Sequence, residues 1–122
     1  MTKTTLTIGL FDKDSEKQII ATDKAKTIIS EILLNLYKIF AFTMIECNGY
    51  YKMSSTGNIV NEPSIRVEIA TDDDLRDDYN TDMQNAAGDH YNKLAAMVFD
   101  LKYALNQESI MVEVTKSDIS FM

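Results

Sequence analysis

A chain of 122 residues, 45% hydrophobic and 25% charged, has the composition of a folded domain and not of a disordered or low-complexity tail. Its formal charge of −7 disfavours direct contact with a nucleic-acid backbone, and no apolar run approaches the roughly 18 residues of a membrane span. Cys47 is the single cysteine, so no intramolecular disulfide forms; with a Thr-rich start in place of a signal peptide, the expected compartment is the cytoplasm.

Residues 5–11 (TLTIGLF) alternate, with Leu6, Ile8 and Leu10 on one face and Thr5, Thr7 and Gly9 on the other, the pattern of a strand with one buried side. A polar turn, DKDSEK at 12–17, follows. Ala25, Ile28, Ile29, Ile32, Leu33 and Leu36 recur at helical spacing, which predicts an amphipathic helix over about residues 23–38, capped by Thr22 or Asp23. Residues 42–53 (FTMIECNGYYKM) and 59–69 read as a hairpin joined by SSTGN at 54–58, where Gly57 can take positive φ. Gly49 predicts a bulge or bend, and Pro63, the only proline, predicts an edge strand or an irregular strand start. Residues 72–82 (DDDLRDDYNTD) form an acidic loop, six aspartates against Arg76. A second helix is predicted to open at Thr81, with Gln84 completing a capping box. Its stripe is Met83, Ala87, Tyr91, Leu94, Val98, Leu101 and Leu105, crossing Gly88. Residues 109–115 (SIMVEVT) alternate again, with Ile110, Val112 and Val114 facing inward.

The order β-α-β-β-α-β predicts one ferredoxin-like α+β domain over residues 1–122: a four-stranded, mainly antiparallel sheet with both helices on one face. The other face then displays Thr5, Thr7, Phe11, Glu62, Ser64, Arg66, Glu68, Met111, Glu113 and Thr115. An uncovered face of this kind suits a second subunit or a ligand, so a homo-oligomer is expected. Cys47 and His90 are each alone and read as packed side chains. With no metal-ligand spacing in the chain, neither a metal nor another cofactor is expected.

The stretch FTMIECNGYYKMSSTGNIVNEPSIRVEI, with LNQESIMVEV and the terminal SDISF, resembles a family of short bacterial and phage proteins of unknown function. Its pattern falls on Phe42 and Thr43, Gly49 and Tyr50, then Gly57, Ile59, Glu62 and Ser64. It ends on Gln107, Glu108, Ser109 and Ile110, then Ser120 and Phe121. LNLYKIFAF at 34–42 replaces the proline-rich segment of cellular members, so the resemblance implies the phage-type branch and, with it, a host cytoplasm.

Glu62 before Pro63, and Gln107–Glu108 between helix and strand, can satisfy unpaired backbone groups. Alternatively Tyr50, Tyr51, Glu62, Arg66, Gln107 and Glu108 line a polar ligand pocket, the tyrosines stacking on a planar ring or simply packing the hairpin. Three functions follow. The first is a non-enzymatic, phage-type and anti-defence protein that sequesters a small polar or nucleotide-like ligand, for which a phosphate finds few basic partners. The second is an inhibitor of a host protein that mimics nucleic acid through Asp72, Asp73, Asp74, Asp77 and Asp78, against which stands a loop that is merely solvated. The third is an enzyme on a dimeric α+β barrel, with two of Glu62, Glu68, Glu108 and Glu113 as acid and base.

Overall fold

Threonines alternating with aliphatic residues make β1 (Thr2–Gly9) a strand with one side in the core, where Leu6 and Ile8 are fully buried. The computed structural model describes residues 1–77, 79–84 and 90–122, the side chains of 79–84, 90 and 91 excepted. Helix α1 (Thr22–Glu31) continues as a π-helical turn, Ile32–Leu36; the apolar stripe is buried at Ala25, Ile29 and Leu33, whereas Leu36, expected on it, is 61% exposed at the end of that turn. It is capped at Ala21 with no side-chain bond, not by Thr22 or Asp23, and the Thr22 hydroxyl instead accepts a hydrogen bond from Gln18 at 3.1 Å. β2 (Phe42–Lys52) and β3 (Ile59–Thr71) form the predicted hairpin, and Gly57 takes φ 73° in its turn.

The sheet order is β2-β3-β1-β6, where β6 is Met111–Lys116, and every neighbouring pair is antiparallel. With α1 between β1 and β2 and a second helix before β6, this is the β-α-β-β-α-β order of an α+β fold. Ile29 and Leu33 of the first helical segment, Met97 and Leu101 of the second, and Ile65, Val67 and Ile69 of β3 meet in one core. Tyr37 ties the end of the first helical segment to the second helix by donating a short hydrogen bond to Asp100. Burial first, and then the Asp100 carboxylate, hold that phenol far above its usual pKa.

Four local expectations fail. The second helix, α2 (Lys93–Ala104), does not open at Thr81: Tyr79–Gln84 is strand β4, paired with β5 (His90–Asn92). The run YNTD is made of weak helix formers, and Asn92 supplies the cap, its side-chain oxygen accepting from Ala95 N at 2.7 Å. Ala87 and Gly88 of the predicted stripe lie outside the described residues, as do the side chains of Met83, His90 and Tyr91. Gly49 makes no bulge, because β2 and β3 pair in one unbroken register from Phe42–Ile69 to Lys52–Ile59. Pro63 lies on an inner strand; its carbonyl accepts from Leu10 N at 2.9 Å, and its missing donor falls where the ladder to β1 ends, just past Gly9–Ser64. Cys47 is half-buried opposite Ser64 on the open face and is not part of the core.

Candidate functional site

The open face is built by strand parity. Residues two apart on β3 (Glu62, Ser64, Arg66, Glu68) point away from the helices, beside Gly9, Thr7 and Thr5 of β1. At the Glu62 end lies a cleft of about 680 Å³, within the usual size of a small-molecule site. Two glycines open its floor. A Cβ at Gly9 would stand 2.4 Å from Glu62 Oε1, so only glycine lets that carboxylate lie across β1. At Gly49 a Cβ would sit 3.3 Å from Ser64 Oγ, which itself donates to the Glu62 carbonyl at 3.1 Å.

Glu62 is held, and its grip is half used. Oε2 accepts from Phe11 N at 2.8 Å, and among the described residues Oε1 carries no hydrogen bond. The same peptide is held at its other end: Gln107, buried at the α2–β6 junction, donates to Phe11 O at 2.8 Å and to Leu105 O at 3.2 Å. Both residues therefore do the backbone work that their junction positions suggested, and both still line the cleft.

The far wall is the turn at 12–17, fastened from a distance. Asp12 accepts from Asp14 N and Ser15 N, each at 3.1 Å, which closes the turn. Asn106, in the left-handed region at φ 49°, donates its amide to Asp12 at 2.5 Å and Asp14 at 2.9 Å, and its carbonyl accepts from Lys13 N at 3.0 Å. The Asn106 bond is the main reason the Asp12 carboxyl lies below its usual pKa. Four carboxylates, of Asp12, Glu16, Glu62 and Glu108, border the cleft against one lysine, Lys13. Phe11, Tyr50, Tyr51 and Met111 supply its apolar walls. Partial burial first, and then the negative charges of Glu62 and Glu16, raise the Tyr51 phenol. Such a cleft repels phosphate and favours a flat, cationic ligand.

Of the six ligand residues expected from the sequence, Tyr50, Tyr51, Glu62, Gln107 and Glu108 border this cleft, and Arg66 does not. Arg66 lines a neighbouring hollow with Glu68 and Glu113. Gly9, Phe11 and the turn at 12–17 are legible as open face and turn but not as parts of a site. The signal that joins them is a glycine on the open side of β1, three residues before a charged turn. The acidic segment lies beyond the opposite end of β3, about 30 Å of strand from Glu62. There Asp74 is buried and accepts from Arg76 Nε at 3.0 Å and from its terminal nitrogen at 2.6 Å. Those side-chain bonds, followed by one from Arg76 N, hold its pKa down to about 2. Asp72, Asp73 and Asp77 are exposed, and Asp78 is outside the described residues. Among the described residues no helix is long and apolar enough to cross a membrane.

No family model and no curated protein sequence matches the chain. Among solved structures, it is similar to a phage SAM lyase in complex with S-methyl-5′-thioadenosine, with TM-score 0.59 and 22% identity over 94% of this chain and 80% of that one. A phage SAM lyase in its apo state gives TM-score 0.53 and 19% identity, over 93% and 78% of the two chains. A DUF3240 family protein from Shewanella baltica gives TM-score 0.47 and 11% identity, over 99% and 94%. At these identities the likeness to the two lyase structures is one of fold.

Proposed function

We propose that the cleft binds S-adenosylmethionine (SAM) and that the protein cleaves it as a lyase, releasing S-methyl-5′-thioadenosine. The observation that carries this reading is the charge of the cleft, four carboxylates to one lysine beside two tyrosines. SAM is an adenine nucleoside with a sulfonium cation and no phosphate, so it meets the objection that phosphate-bearing nucleotides raise. Tyr50 and Tyr51 offer faces to the adenine, and Glu62 Oε1 is free to accept a donor from the ligand. In the reaction a carbon–sulfur bond of the amino-acid arm breaks, and its electron pair returns to sulfur and cancels the positive charge. The carbon takes its new bond from within its own fragment, by ring closure through the arm's carboxylate or by loss of a neighbouring proton to a cleft carboxylate, so neither water nor cofactor enters. Such a step loses charge, so exclusion of water from the cleft favours it.

The phage-type motifs and the phage origin of the structural neighbours support an anti-defence role, in which host SAM is removed. A second copy of the chain covering the open face, where Met111 is 67% exposed, would close the cleft from solvent. Incubating SAM with substoichiometric protein and following the products by chromatography tests the activity. Many equivalents of S-methyl-5′-thioadenosine are expected. Saturable binding with SAM left intact would return the protein to the sequestering role, and no binding would remove the reading.

A further inference from the structure

The hollow beside the cleft carries charges that the nucleoside reading does not use. It has a volume of about 250 Å³ and shares Thr7 and Met111 with the cleft, so the two form one continuous surface. Its residues fall in two rows across three strands. Arg66, Thr7 and Met111 make one row, and Glu68, Thr5 and Glu113 the next, with Lys3 beyond. One row therefore ends in a guanidinium and the other in two carboxylates. Their mutual pairing is loose: Arg66 Nε lies 3.5 Å and Lys3 Nζ 3.8 Å from Glu68 Oε1. Among the described residues the Arg66 side chain makes no hydrogen bond beyond this loose ion pair, so its guanidinium has donors left for a ligand.

Resting on the SAM reading, we infer that this hollow is the subsite for the amino-acid end of the ligand. Arg66, supported by Lys3, receives the α-carboxylate, and Glu68 and Glu113 receive the α-ammonium. The mixture of signs selects for a zwitterion. A simple anion would meet the two glutamates, and a simple cation would meet Arg66 and Lys3. The spacing agrees, because Glu62 to Arg66 is four residues of strand, about 13 Å, the reach of an extended adenosyl amino acid. Arg66 thus returns to the ligand, as the contact for its far end.

Calorimetric titration of the wild-type protein and of Arg66→Met with two stable ligands tests this inference. S-adenosylhomocysteine carries the amino-acid arm, and S-methyl-5′-thioadenosine lacks it; neither has a sulfonium charge. Arg66→Met should weaken S-adenosylhomocysteine by about tenfold or more, the size of a lost charge-assisted contact, and leave S-methyl-5′-thioadenosine within about twofold. Glu113→Gln, on the exposed edge strand, should reproduce the selective loss at smaller size. If both variants weaken the two ligands equally, or weaken neither, the subsite assignment is overturned while the cleft reading stands. A wild-type protein that binds neither ligand overturns the cleft reading and this assignment with it.

Discussion

Two charged turns, at 12–17 and at 72–77, differ in which side chains hold them. In the second the side-chain bonds are local, Asp74 gripping Arg76 two residues away, and the distant tie is a backbone one, Leu94 N to Leu75 O at 3.3 Å. The first is gripped from across the chain, by Asn106 through two carboxylates and by Gln107 through the Phe11 carbonyl. Long-range fastening turns a surface loop into the wall of a cleft. Local charge density, which was highest at residues 72–82, did not mark this position.

The largest break in that comparison should come from Gly9→Ala. A methyl group 2.4 Å from Glu62 Oε1 displaces the carboxylate from Phe11 N and from the cleft floor. Binding of S-adenosylhomocysteine, which is not cleaved, should weaken by about 10- to 100-fold, measured by calorimetry. Unchanged affinity would remove Glu62 from the ligand's surroundings.

Asn106→Gly comes next. Glycine accepts the positive φ without strain, so the variant deletes only the amide that clamps Asp12 and Asp14. Affinity for S-adenosylhomocysteine should fall about fivefold and Tm by about 4 °C. A drop in Tm with full affinity would mean that the wall's position does not matter to the ligand.

Asp74→Asn sharpens the contrast with the smallest effect. The Asp74 pKa is about 2 in the folded protein, below its unfolded value of 3.8, so its contribution to stability is complete above about pH 5 and is lost as pH falls towards 2. Urea midpoints followed down that range should fall less steeply for Asp74→Asn than for the wild type, and SAM cleavage at neutral pH should be unchanged. Loss of cleavage would tie the far end of β3 to the site.

The architecture was legible because its signals are periodic. The alternation of Leu6, Ile8 and Leu10 and the stripe from Ala25 to Leu33 each fix a buried face. The second helix was expected too early because its apolar spacing reaches back through Tyr91 and Ala87 to Met83, whereas Tyr79–Gln84 is β4, paired with β5, and Asn92 caps the helix. The site was half legible. Tyr50, Tyr51, Glu62, Gln107 and Glu108 stood out by residue type and junction position. Gly9 did not, because its meaning lies in a carboxylate contributed by residue 62, a distance in space that one-dimensional spacing does not carry. Arg66 lies on the expected face but lines the neighbouring hollow, since parity fixes a side of the sheet but not a position along it.

A crystal structure with S-adenosylhomocysteine bears most directly on where the ligand sits. The account predicts adenine and ribose between Tyr50, Tyr51 and the Glu62 carboxylate, over Gly9, with the amino-acid arm running towards Arg66. A ligand bound instead at the turn of residues 72–77, or on the helical side of the sheet, would contradict it.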